Sequence, residues 1–222
     1  MAIGTHVCKI PASFWAVNAK RRTCSMHFFR KPCRPTCGPR RWVLCAIVYG
    51  AMAFLAAGCS PRFNWRDYQS SGGFAATFPD KVQTATRSIE LTGIEVNMTL
   101  SAARVGEISF VVGSVRLPNS DPGLRDRALA ELRQALIRNI EGRVQSEREA
   151  SVERLSPGDP HVSADAIEVS GQVQDKPMHM SAEIAYDDQS VYEMFVLGPV
   201  AAMQEVQARE AVDTFLSSFR LQ

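Results

Sequence analysis

The stretch IEVNMTLSAARVGEISFVVGSVRLPNSDPGLRDRALAELRQALIRNIE, residues 94–141, decides the fold class, because the period of its apolar residues changes partway along. In Ile94–Val105, Ile94, Val96, Met98 and Leu100 alternate with polar residues, as in a strand with one wet face. Gly106-Glu107 turns the chain into Ile108–Leu117, where Phe110, Val111 and Val112 run in near-continuous apolar order, the signature of a central strand. Asp121-Pro122 then suits an N-cap followed by proline at the first helical position. Beyond it Leu124, Ala128, Leu132, Ala135, Leu136 and Ile140 recur at three and four, which predicts a helix over roughly 122–141, ended by Gly142.

Working outward, Phe74–Phe78 closed by Pro79 reads as a short strand, and Thr84–Leu91 joins Ile94–Val105 through the hairpin signal Thr92-Gly93. Val144–Arg154 has the composition of a further strand, and 155–163 is a loop by its proline and glycine content. Ala164–Gln174, Pro177–Tyr186 and Ser190–Gly198 read as a meander turning at Asp175-Lys176 and Asp187-Asp188. Ala208, Ala211, Val212, Phe215, Leu216 and Phe219 make an apolar stripe on a C-terminal helix. The order strands, helix, strands, helix predicts an α+β domain over 74–222: an antiparallel β-sheet of about six to seven strands with two helices packed on it. It comes after a disordered leader and an apolar signal helix.

Charge and cysteine divide the chain at the same place. Residues 1–59 carry nine Lys/Arg and no acid, leaving 16 basic against 23 acidic residues, net −7, in 60–222. All six cysteines lie at or before Cys59. An acidic folding region argues against nucleic acid, whose phosphates need a basic face. A domain without thiols cannot mispair them in an oxidising compartment.

Residues 42–58, WVLCAIVYGAMAFLAAG, are uncharged and come directly after Arg40-Arg41. Positive flanks stay cytoplasmic, so the chain beyond residue 58 is expected to be exported. Residues 1–58 read as a signal peptide with a long basic n-region, for which Met26 offers an alternative start. Arg40-Arg41-Trp42-Val43-Leu44 leaves a twin-arginine export route open beside the general one. Leu55-Ala56-Ala57-Gly58-Cys59 resembles the lipobox of bacterial lipoproteins, with Ala56 where leucine is usual. Small Ala57 and Gly58 fit a narrow membrane protease that cuts between Gly58 and Cys59. The Cys59 thiol is the nucleophile that takes a diacylglyceryl group, and two acyl chains suffice for lasting attachment. Residues 59–73 read as a lipidated tether. Ser60, rather than aspartate, favours the periplasmic face of the outer membrane in a Gram-negative host. The alternative is a single membrane span retained at 42–58.

Phe74-Ala-Ala-Thr-Phe78-Pro79, Val191-Tyr192 with Val196-Leu197-Gly198-Pro199, and Ala211-Val-Asp-Thr-Phe215-Leu216-Ser-Ser218-Phe219 resemble the PsbP-like fold, which includes DcrB-type bacterial lipoproteins. The resemblance implies a non-catalytic module that binds or stabilises a larger protein assembly, and it assigns no functional residue.

Chemistry-bearing residues are few. After Cys59 there are two histidines, His161 and His179. Met178-His179-Met180 suits copper in ligand type, but on a strand the two methionines share one face and His179 takes the other. No catalytic residue, metal ligand or cofactor site is expected. An enzyme acting on envelope polymers or lipids is kept as an alternative. The arginines at 125, 127, 133, 138 and 143 read as a solvated helix face. The expected partners are membrane lipid through Cys59 and an envelope protein.

Overall fold

Alternation and turn chemistry place most strands where the sequence predicts them. The computed structural model describes residues 62–156 and 158–222. In chain order these form β1 (Arg66–Ser70), β2 (Phe74–Phe78), β3 (Gln83–Leu91), β4 (Ile94–Val105), β5 (Ile108–Arg116), α1 (Pro122–Asn139), β6 (Arg143–Arg154), β7 (Val162–Val173), β8 (Lys176–Asp187), β9 (Ser190–Pro199), α2 (Val200–Met203), α3 (Val206–Ser217) and β10 (Arg220–Leu221). The sheet order is β1-β2-β10-β6-β7-β8-β9-β5-β4-β3. Neighbours are antiparallel except β10 and β6, which are parallel.

This corrects the expected sheet of about six to seven antiparallel strands with two helices. The described residues hold ten strands in one curled half-barrel sheet, with three helices. The differences have physical causes. Arg66–Ser70 buries only Ser70 and half-buries Tyr68, so its sequence reads as polar. It is a strand because β2 pairs with it from Arg66↔Phe78 to Ser70↔Phe74. Arg220–Leu221 is too short to show any period. Val200–Met203 is a single turn laid against the sheet.

Turns and caps fix the register. Thr92 (φ 55°) and Gly93 (φ 80°) both take the left-handed conformation that a two-residue β3–β4 hairpin requires. Gln174 and Asp175 do the same between β7 and β8, one position earlier than the sequence suggested. Asp121 caps α1, its carboxylate accepting from the Leu124 backbone N–H at 2.8 Å. The other end of α1 rests on β7: Gln172 N–H donates to the Ile140 carbonyl at 2.6 Å. Gly171 lies so close beneath that carbonyl that a methyl group there would collide with its oxygen.

β5 and β9 run through the centre and are buried on both faces. On one face Phe110, Val112, Met194 and Val196 meet Phe74 and Phe78 of β2 and Ala208, Ala211 and Phe215 of α3. Phe215 anchors this layer, its ring 5.1 Å from that of Phe78 and 5.5 Å from that of Phe110. On the other face the alternate residues, Val111, Val115, Phe195 and Leu197, are buried on the side of α1. There α1 turns Leu124, Ala128, Leu132 and Leu136 inward. Among the described residues no helix is long and apolar enough to cross a membrane.

Candidate functional site

The residues that the sequence singled out for processing and lipidation, Leu55, Ala56, Ala57, Gly58 and Cys59, lie outside the described residues. Among the described ones, polar groups gather on the α3 side of β6, β7 and β8. Direct pairing sets their rows: Arg148 stands opposite Ala166, and Ala166 opposite Glu183. Ala166 is small, so the Arg148 guanidinium crosses over it to Glu183 Oε1 at 3.4 Å. Glu183 is buried, and burial pushes its carboxyl pKa up; the Arg148 charge opposes the rise and the Glu168 charge adds to it.

The next row holds Glu168 opposite Ser181. Ser181 Oγ donates to Glu168 Oε2 at 2.8 Å, and His179 Nε2 lies 2.8 Å from the same oxygen. Ser181 and His179 thus converge on a carboxylate. The serine hydroxyl is given to Glu168 and not to an imidazole base, so the pairing that activates a nucleophilic serine is not assembled here. At the far end of the strip Arg154 grips Asp187 with two hydrogen bonds, 2.7 and 3.2 Å, and holds the Asp187 carboxyl below its usual range.

Beside this strip lies a groove of about 660 Å³. One wall is the backbone and side chains of β6 from Arg148 to Glu153. The other is α3 and the chain after it, with Asp213, Leu216, Ser217, Phe219 and Arg220. Glu183 lines it as well. Arg220 Nε pairs with Glu153 Oε2 at 2.8 Å. The arrangement suits recognition of an extended polar chain, with backbone edge on one side and charged and apolar side chains on the other.

A second carboxyl lies on the opposite face. Glu193 of β9 is 4% exposed, and burial pushes its pKa up to about 8. Its partner across the β5–β9 pairing is Gly113. A Cβ at that position would fall 2.8 Å from Glu193 Cγ and 2.6 Å from Met98 Cε. Gly113 therefore leaves the room in which Glu193 lies.

The histidines and arginines named from sequence can now be placed. His161 is exposed just ahead of β7. Met180 is buried and Met178 half-buried, with His179 on the other face, as strand alternation predicts; His179 is held on Glu168. The helix arginines are not a uniformly solvated face, since Arg125 stacks 4.2 Å from the Tyr186 ring centroid and Arg133 pairs with Glu147. No group of three or more His, Cys, Asp or Glu among the described residues could hold a metal ion. Sequence reasoning missed Arg148, Ser181, Glu183 and Glu193. Only Glu193 carried a signal, a lone acid among Val191, Phe195 and Leu197 on one face of β9.

No family model matches the chain, and no curated protein matches it. Among solved structures it is similar to PA94 of Pseudomonas aeruginosa, a protein of unknown function described as a candidate regulator. The likeness covers 68% of this chain and 96% of that one, at a TM-score of 0.34 and 12% identity.

Proposed function

We propose that this chain is a lipid-anchored protein of the cell envelope whose domain works by binding another protein. The observation that carries the reading is Leu55-Ala56-Ala57-Gly58-Cys59 at the end of the uncharged run 42–58, behind Arg40-Arg41, with Cys59 the last cysteine of the chain. A thiol placed there is the acceptor for a diacylglyceryl group, and two or three acyl chains hold a protein on a membrane durably. The domain then stands on the exported side, on the outer membrane in a Gram-negative host.

The binding half of the proposal draws on the groove beside β6. Its walls combine a strand backbone with paired charges, Arg148 with Glu183 and Arg220 with Glu153, as expected of a surface that recognises rather than transforms.

The test is the intact mass of the protein extracted from membranes, beside a Cys59→Ala variant. The expected mass is that of residues 59–222 plus two or three acyl chains, with the acyl mass lost in the variant. An unlipidated mass that still includes 42–58 would overturn the proposal and leave a single-span membrane protein in its place.

A further inference from the structure

β6 is paired with β7 on one side from Arg143 to Val152. On the other side β10 pairs with it only at Glu153 and Arg154, extended by the hydrogen bond from Leu155 N–H to the Leu221 carbonyl at 2.7 Å. Among the described residues no strand pairs with the remaining edge, Arg143–Val152. The cause is the path of the chain. It runs through α3 until Ser217 and enters the lane beside β6 only at Arg220. The groove therefore lies in the same lane as β10, alongside the five residues Arg148–Val152.

We propose that this lane takes an extended, basic segment of a partner protein, which adds a strand to β6 in line with β10. Three observations carry it. First, the edge is competent to pair, because β10 already continues its ladder. Second, the two halves of the edge differ. A register shift between Val144 and Ser146 disturbs the far half, and such bulges blunt pairing. Arg148–Val152 is free of it, offers small Ala150 and Ser151, and spans about 17 Å at ~3.3 Å per residue. Third, the charges favour a basic guest. Four carboxylates line the groove, and two of them, Glu183 and Glu153, are taken by Arg148 and Arg220. Glu149 and Asp213 have no ion-pair partner among the described residues and flank the lane from opposite walls. Strand addition of this kind draws affinity from main-chain hydrogen bonds and specificity from alternate side chains.

The inference deepens the binding half of the proposed function and is independent of the lipid anchor. Lipidation is read from mass and pairing from amide exchange, so a lipidated protein that does not pair overturns only this inference. The probe is an acetylated, amidated hexapeptide alternating lysine and valine, titrated into the full chain in detergent, with hydrogen exchange tracked by mass spectrometry. The expected result is at least tenfold slower exchange within 148–152 and no change within β3, a terminal strand of the sheet. The glutamate–valine counterpart should give no protection. Asp213→Lys, a change at an exposed helix position, should weaken the lysine peptide about fivefold or more. Three results would each overturn it: no protection of 148–152 at millimolar peptide, equal protection of β3, or equal binding of the glutamate peptide.

Discussion

Raising the pH from 4.5 to 8 is expected to remove as much as about 5 kcal/mol of folding stability through one side chain, Glu193. The carboxyl has a pKa near 4.5 when exposed and about 8 in the folded protein, and burial is the cause. Between those values the folded state keeps a proton that the unfolded chain has released. The unfolded state thus binds fewer protons, so stability falls as pH rises. The contribution is fully present below pH 4.5 and lost once pH passes 8. A gap of 3.5 units, from 4.5 to about 8, at about 1.36 kcal/mol per unit gives the figure above. It is large beside the ~5–15 kcal/mol that holds a typical domain together. Glu193→Gln replaces the protonated acid with a neutral group of the same shape. Urea unfolding of both proteins at pH 5, 7 and 9 separates this side chain from every other titrating group. The variant should match the wild type within about 1 kcal/mol at pH 5 and exceed it by several kcal/mol at pH 9. Parallel pH profiles for the two proteins would refute the reasoning, because Glu193 would then be ionised in the folded state at ordinary cost.

Packing gives two further expected outcomes. Gly171→Ala should destabilise by about 1–3 kcal/mol, since the new methyl meets the Ile140 carbonyl at the end of α1; the urea midpoint reads it, and an unchanged midpoint would show that the helix end moves freely. Phe215→Ala should cost about 3–5 kcal/mol in the same assay, because its ring joins those of Phe78 and Phe110 in the α3 layer; a loss below about 1 kcal/mol would mean that the layer closes over the gap.

The parts of the fold legible in sequence were those governed by local rules. Asp121-Pro122 opens α1 because a carboxylate cap and a fixed proline φ act within one turn. Thr92-Gly93 makes a hairpin because the turn needs two positive φ values. β4 and β5 fall where alternation and the Gly106-Glu107 turn put them. What escaped depends on pairing between distant segments. Arg66–Ser70 is a strand only because Phe74–Phe78 supplies its hydrogen bonds, and Arg220–Leu221 only because β2 and β6 flank it. The same holds for the candidate site. Arg148, Glu168 and Glu183 belong to three different strands, and only three-strand pairing brings them together around Ala166. Glu193 was more accessible to reasoning: an acid inside a strand apolar on both faces has nowhere wet to go.

The position of β10 also constrains how this chain reaches its native state. β3-β4-β5 and β7-β8-β9 are hairpin meanders whose contacts are close in sequence, so they can form early and independently. β10 instead pairs Leu221 with Phe74 and Arg220 with Glu153, joining segments from far apart along the chain. The loop-closure entropy of that seam must be met before its few hydrogen bonds return anything. Until the seam closes, the meanders stand without their β1–β2 cover, and Phe74, Phe78 and Phe215 remain open to water. This protein is therefore expected to be most prone to aggregate late in folding, when most of its secondary structure is already in place.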